Sequence, residues 1–309
     1  MSQAMVFPGQ GSQALGMLSD IAEHYPEVTY TFAQASEALG YDLWQLVQQG
    51  PAEELDKTIH AQPALLTAAY AIWQILRTHS RLQPSLLAGH SLGEYTALVC
   101  AQALNFSDAV RLVAARGQYM QEAVPRGQGA LAAIIGLDEV AVAELCYQTV
   151  VGTHDILASA NFNSPGQIVI AGNAAAIDRA LPLAKERGAR LAKRLTVSVP
   201  SHCSLMKPAA EKLAQRLAGL ALQAPVIPVV NNVDVKPYAS VGAIRDGLTR
   251  QLFSPVRWVE TIQFFAAQGV DTVIECGPGK VLTGLNKRIA DNMQYNHTAD
   301  LGSLQALLS

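Results

Sequence analysis

Charge is scarce in this sequence. Only 15% of its 309 residues are Asp, Glu, Lys or Arg, half are hydrophobic, and the formal net charge is −3. A chain so poor in cations lacks the broad basic surface that neutralises phosphates, which excludes general nucleic-acid binding. A local basic patch for an acidic protein partner stays open. Cysteine is scarce too. Cys100, Cys146, Cys203 and Cys276 form no CxxC pair, so a zinc site is not expected, and nothing calls for an oxidising compartment. Cys100, Cys146 and Cys276 have apolar neighbours and read as buried thiols. Long apolar runs are missing. The longest helical candidate, ALLTAAYAIWQIL (64–76), is too short and too polar for a bilayer. The opening MSQAMVFPGQGSQ lacks the basic-then-apolar order of a signal peptide. The expectation is a soluble cytoplasmic protein with a sizeable core, built as one large domain or a large domain with a smaller one.

What is present is a rhythm of strands and helices. AMVF (4–7) reads as a short buried strand closed by the breaker-rich loop PGQGSQ. Helical stretches follow, one of them starting near Pro63 as a first helical position. SLLAG is the next strand, LGEYTALVCAQAL a helix, and SDAVRLVAARGQYMQEAV a helix with Ser107 as its N-cap. After PRGQG (125–129) the order becomes strand ALAAIIGL, helix DEVAVAELCYQ, strands ILASANF and QIVIAG, helix AAAIDRALPLAKERG, strand RLAKRLTVS. This is β-α-β-β-α-β, the ferredoxin-like order. A helix from about Cys203, a strand VIPVVNN, helices near 244–252 and 259–268, and a strand TVIEC leading through GPGK to another helix complete the pattern. Strands alternating with helices on both sides of the insert predict an α/β fold with a parallel sheet. The predicted division is a discontinuous large domain, residues 1–126 and 199–309, and a ferredoxin-like small domain, residues 127–198.

One serine stands out. Gly89-His90-Ser91-Leu92-Gly93 fits G-x-S-x-G at a strand-to-helix junction, the context that motif requires. Side chains in place of the glycines would clash, and the sharp turn lifts the Ser91 hydroxyl to a helix N-terminus. There the Leu92 N–H and the helix dipole can stabilise an oxyanion. The same residues would also serve a plain turn with Ser91 as a cap. A serine nucleophile needs a base. His24, His60, His79, His154 and His297 lie in polar stretches and read as surface residues. His90 adjoins the serine, but the turn aims neighbouring side chains apart. His202, in VSVPSHC, falls between the last insert strand and a helix, where the two domains meet and clefts form. Arg116 has Leu112, Val113 and Met120 as its helical neighbours and so borders the buried stripe. A buried guanidinium needs a partner. The partner could be a substrate carboxylate, matched by the planar fork, or an internal salt bridge to Glu94 or Glu122.

FPGQGSQ, GHSLGEY, AARGQYM, NFNSPGQIVIAG, VSVPSHC and GPGKVLTGL, in this order, resemble the bacterial malonyl-CoA:acyl carrier protein transacylases over essentially the whole chain. The resemblance implies an α/β-hydrolase-like large domain with the ferredoxin-like one inserted. It implies Ser91 as nucleophile and His202 as base, the imidazole oriented by the backbone carbonyl of Gln251 rather than by an acid. Gln10 and Leu92 would supply the oxyanion N–H groups; the rival reading of PGQGS as a phosphate loop lacks the following Lys-Ser/Thr. Arg116 would hold the free carboxylate of malonate. Asn161 and Asn163 would face the cleft and hold the thioester or pantetheine arm, unless they serve as turn residues. In related polyketide acyltransferases the residues at Ser201 and Leu92 track with extender choice. Lys287 and Arg288, with Lys185, Arg187, Arg190, Lys193 and Arg194, would steer an acidic carrier protein. The implied partners are malonyl-CoA, as a substrate, and acyl carrier protein. No cofactor, metal, nucleic acid or membrane is expected, and a monomer is. The rivals are a serine thioesterase or hydrolase, a non-catalytic malonyl-CoA binder, and an acyltransferase serving a polyketide synthase.

Overall fold

In the computed structural model, which describes residues 2–197 and 199–308, nine strands run in chain order among the described residues. They are β1 (Gln3–Phe7), β2 (Leu86–Gly89), β3 (Gly129–Ile135), β4 (Leu157–Ser164), β5 (Gln167–Asn173), β6 (Leu191–Arg194), β7 (Val229–Val230), β8 (Thr272–Glu275) and β9 (Gln294–His297). Five of them form a parallel sheet in the order β7-β2-β1-β8-β9. β1 and β2 are short apolar runs because helices cover both faces of such a sheet. Met5, Phe7 and Leu87 enter one core with the helices Thr58–His79 and Phe106–Ala123. Ala4, Val6 and Ala88 enter another with the helix Trp258–Ala267.

The register pairs Phe7 with Gly89, so β1 and β2 end level. The His90 N–H then donates to the Phe7 carbonyl at 3.0 Å. The loop after β1 and the turn after β2 therefore lie side by side at the carboxyl edge of the sheet, where open α/β sheets place their ligands.

β3 to β6 form the second sheet, antiparallel, in the order β4-β5-β3-β6. With the helices Glu139–Val150 and Ala174–Glu186 it follows the β-α-β-β-α-β order expected. Alternation decides its faces. Ala130, Ala132 and Ile134 pack with the two helices, while Leu131 packs with Ala160, Val169 and Cys203 on the opposite face. Main-chain bonds tie β4 to the segment that precedes the helix Trp258–Ala267. The Phe162 N–H donates to the Val256 carbonyl at 3.0 Å, and the Val256 N–H to the Ala160 carbonyl at 2.9 Å.

Several boundaries differ from the sequence reading. The helix expected to open near Pro63 begins at Thr58 and carries Pro63 inside. Proline there gives up only one backbone bond, and a buried apolar face outweighs that loss. The cap expected at Ser107 is Asn105, whose side chain accepts from the Asp108 N–H at 3.3 Å. VIPVVNN contributes strand only at Val229–Val230, and RLAKRLTVS only at Leu191–Arg194, its residue 198 lying outside the described residues. The edge strand β9 and the helix Leu301–Leu308 were not foreseen.

Candidate active site

Ser91 stands two residues beyond β2, at φ +51°, ahead of the helix Gly93–Cys100. A non-glycine residue in this region costs roughly 1–3 kcal/mol and persists where its surroundings over-determine it. The flanking glycines leave no room to relax. A Cβ on Gly89 would stand 1.8 Å from the Gly93 carbonyl carbon, and one on Gly93 would stand 2.0 Å from the Phe7 carbonyl oxygen. Both obstacles are backbone. The Ser91 N–H donates to Asn232 Oδ1 at 2.8 Å, and the Ser91 carbonyl accepts from Gln251 Nε2 at 3.0 Å.

The loop between β6 and the helix Lys207–Ala218 delivers His202, also in the left-handed region at φ +64°. Its N–H donates to the Leu252 carbonyl at 2.8 Å. The ring is buried, with Nε2 2.8 Å from Ser91 Oγ. Nδ1 faces two carbonyls, Gln251 at 2.8 Å and Ser254 at 3.2 Å. Carbonyls only accept, so Nδ1 carries the proton and Nε2 is free to accept from the serine hydroxyl. Burial, aided by the Arg116 charge, lowers the His202 pKa to about 3. The imidazole is therefore neutral, as a base must be, at any ordinary pH.

That shift has a measurable consequence for stability. Unfolded, His202 titrates near 6.5; folded, far lower. The unfolded state binds the extra proton, so His202 makes the fold lose stability as pH falls from about 6.5 toward 3. His202→Gln removes this loss. The variant should gain on wild type by about 2 kcal/mol between pH 8 and pH 5 in paired denaturant melts. A difference independent of pH would mean that the ring is not held neutral.

Arg116, on the helix Phe106–Ala123, is 1% exposed. Nη1 donates to Gln62 Oε1 at 2.9 Å; Nη2 donates to Gln251 Oε1 at 3.0 Å and to Ser91 Oγ at 3.2 Å. Its Nε, though buried, has no acceptor among the described residues. The guanidinium lies 5.2 Å from the Tyr95 ring centroid. Neither carboxylate weighed as an internal partner is bonded to it. Glu122 pairs with Lys212, while Glu94 accepts from Asn232 N, Gln251 Nε2 and Tyr238 Oη. Arg116 is thus a buried cation beside the serine with one donor edge unfilled.

The loop after β1 presses on the same turn: a Cβ on Gly9 would come within 2.6 Å of the His90 carbonyl oxygen. Gln10, in that loop, ties its side chain to Thr58 Oγ1 at 3.3 Å. Among the described residues, the backbone N–H groups of Gln10 and Leu92 donate to no protein acceptor. A turn that exposes a hydroxyl, a neutral imidazole on it, a cation beside it and two spare amides nearby is equipped for acyl transfer through a serine ester.

The remaining sequence candidates are dispersed around this centre. Asn163 Oδ1 is 2.8 Å from His90 Nε2, so His90 is turned away from Ser91 as expected. Asn161 is buried where β4 bridges to Val256. Ser201 is half-buried, its N–H on the Val199 carbonyl at 2.8 Å. Lys287 and Arg288 are exposed, and Arg288 reaches Gln167 Oε1 on β5 at 2.9 Å. Arg288 and Arg190 line one cavity of about 360 Å³ beside the turn between β4 and β5. Arg194 pairs with Asp178, and Arg187 donates to Gln148. His60 and His297 are half-buried rather than surface residues. Among the described residues no three of His, Cys, Asp and Glu are grouped so as to hold a metal ion. The sequence reading missed Gln62, Asn232 and Tyr238, and met Glu94 only as a partner for Arg116. The one available signal was a carboxylate inside GEYTALVC, an otherwise uncharged helix.

Residues 4–305 match the acyl transferase domain family. The chain is 56% identical over 306 residues to the malonyl CoA-acyl carrier protein transacylase of Salmonella typhimurium, covering 99% of this chain and 98% of that one. It is 46% identical over 286 residues to the Bacillus subtilis protein of the same name, covering 93% and 90%. Among solved structures, an acyl carrier protein S-malonyltransferase from Vibrio cholerae superposes with a TM-score of 0.96 at 56% identity, covering 99% of each chain. A malonyl-transacylase solved with a type II polyketide acyl-carrier protein superposes at 0.98 with 55% identity, covering 100% of this chain and 99% of that one.

Proposed function

The chain belongs to the acyl transferase family, among the malonyl CoA-acyl carrier protein transacylases, and on that footing we propose that it moves malonyl from CoA to the pantetheine thiol of an acyl carrier protein through an ester on Ser91. The observation that carries the reading is Arg116: a buried guanidinium 3.2 Å from the serine oxygen, whose Nε has no acceptor and which bonds no carboxylate among the described residues. A free carboxylate on the acyl group fills that edge and, being part of the substrate, brings the acyl carbon to the serine.

The first half-reaction begins when His202 Nε2 takes the Ser91 proton as Oγ attacks the thioester carbon. The oxyanion accepts from the Gln10 and Leu92 N–H groups, and the C–S bond breaks. CoA thiolate leaves with the proton from His202, and malonyl stays as the Ser91 ester. In the second half the carrier thiol gives its proton to His202 and attacks the ester, and Ser91 Oγ leaves and regains a proton. The Gln251 and Ser254 carbonyls steady the imidazolium that forms in each half. These are ping-pong steps. Lys287 and Arg288 steer the acidic carrier to the cleft. The place of work is the cytoplasm, where acyl-CoA and carrier protein meet.

Intact-mass and peptide spectra after mixing with malonyl-CoA test the reading. One malonyl unit on the peptide holding Ser91, stable for minutes without a thiol and discharged by carrier protein, is the expected result. No covalent mass would leave only a binder, and rapid release as free malonate a hydrolase. The superposition on a malonyl-transacylase that was solved with a polyketide carrier favours one second reading, in which the carrier belongs to a polyketide synthase. Discharge rates against a fatty-acid carrier and a polyketide carrier decide it.

A further inference from the structure

Both main-chain groups of Ser91 are held by side chains. Asn232 Oδ1 takes its N–H, and Asn232 Nδ2 also donates to the Gly89 carbonyl at 2.7 Å, so one amide grips the turn on both sides of His90. Gln251 Nε2 holds the Ser91 carbonyl. The orientation of Gln251 follows from its neighbours. Arg116 can only donate, so the oxygen faces Arg116 and the NH2 faces the Ser91 carbonyl and Glu94. Asn232 and Gln251 then meet on one atom. Glu94 Oε2 accepts from the Asn232 N–H at 3.0 Å and from Gln251 Nε2 at 2.8 Å, while Oε1 faces the Tyr238 hydroxyl. Glu94 is fully buried and touches neither the serine hydroxyl nor the imidazole. Two obligate donors on Oε2 require an unprotonated oxygen at that point.

We propose that Glu94 is a positioning residue for the nucleophile. Its Oε2 fixes Asn232 and Gln251 in the orientations that clamp Ser91 in the left-handed region, and Gln251 passes that order to Arg116 and, through its own carbonyl, to His202. The proposal rests on Ser91 being the nucleophile of the transacylase reading. What Glu94 must supply is an acceptor at one place, not a charge. Glu94→Gln can supply it, with its amide oxygen on Asn232 and Gln251 and its NH2 on the Tyr238 oxygen. Glu94→Leu has similar bulk and no acceptor. Misplacement of this kind costs on the order of 10²-fold in rate.

The test measures single-turnover malonylation of Ser91 and, separately, its labelling by a fluorophosphonate, which reads serine reactivity without any acyl-CoA. Glu94→Gln should keep both rates within about threefold of wild type. Glu94→Leu, checked as folded by circular dichroism and melting, should lose about 100-fold in both. If Glu94→Leu does not fold, Asn232→Ala, which removes the acceptor of the Ser91 N–H, should show the same loss. Equal losses in Glu94→Gln and Glu94→Leu, or wild-type rates in Glu94→Leu or Asn232→Ala, would overturn the proposal. Wild-type protein that takes fluorophosphonate but no malonyl would refute the transacylase reading, and the clamp would then be judged on the fluorophosphonate rates.

Discussion

Ser91→Ala should abolish carrier loading, with a fall in turnover of roughly 10⁴-fold or more and no malonyl mass on any peptide. In the proposed mechanism the loss is large because the hydroxyl oxygen is the atom that becomes covalently joined to the acyl group, and the base and the oxyanion amides have nothing to act on without it. The fold should survive. The clamp on residue 91 uses its main chain, through Asn232 and Gln251, and alanine keeps both bonds. What goes missing is one acceptor for Arg116 Nη2 and one partner for His202 Nε2, at about 1 kcal/mol each. A loading assay by intact mass, run beside a melting curve, separates lost chemistry from lost structure. Undiminished loading would place the nucleophile elsewhere.

Arg116→Ala should invert substrate choice rather than lower activity evenly. Malonyl transfer should fall by on the order of 10³–10⁴-fold in kcat/KM, because a site built around a buried polar contact depends on it that strongly. Acetyl transfer should hold or rise, since an acetyl group leaves the wild-type guanidinium unanswered in a buried place. The substitution also strips the donors from Gln62 Oε1 and from Gln251 Oε1, which costs about 1–3 kcal/mol for each acceptor left dry. Both substrates must therefore be assayed on the same preparation. Equal losses on malonyl and acetyl would mean that Arg116 serves only to brace Gln251 and Gln62.

How much of this could be read beforehand follows the reach of each constraint. The turn at Ser91 was legible because its cause is local: strand, two glycines and helix within five residues. Arg116 was legible as a buried cation, since the residues at three and four steps on its helix are apolar. Its partner was not, because Gln62 lies 54 residues away and Gln251 lies 135 away. His202 could be narrowed by its position between insert and helix, but only the fold sets it 2.8 Å from Ser91 Oγ. The role of Gln251 came from resemblance alone. The group that orients the imidazole is its carbonyl, and every residue has one. Asn232 gave no signal, because the sequence places it at the end of the strand candidate VIPVVNN and its bond to the Ser91 N–H spans 141 residues. In the fold, the parallel sheet and the inserted ferredoxin-like unit were visible in the alternation of elements. β9 was not: its QYNH lies at an edge with a half-exposed, polar pattern, which carries little of the apolar rhythm that marks a strand.

The two main-chain bonds that tie β4 to Val256 also set how the cleft works. Val256 comes two residues after Ser254, one of the carbonyls supporting His202. A jaw that opened and shut here would have to tear those bonds and would drag the imidazole's prop away in the same stroke. Those two bonds therefore couple the placement of the small antiparallel sheet to the support of the imidazole.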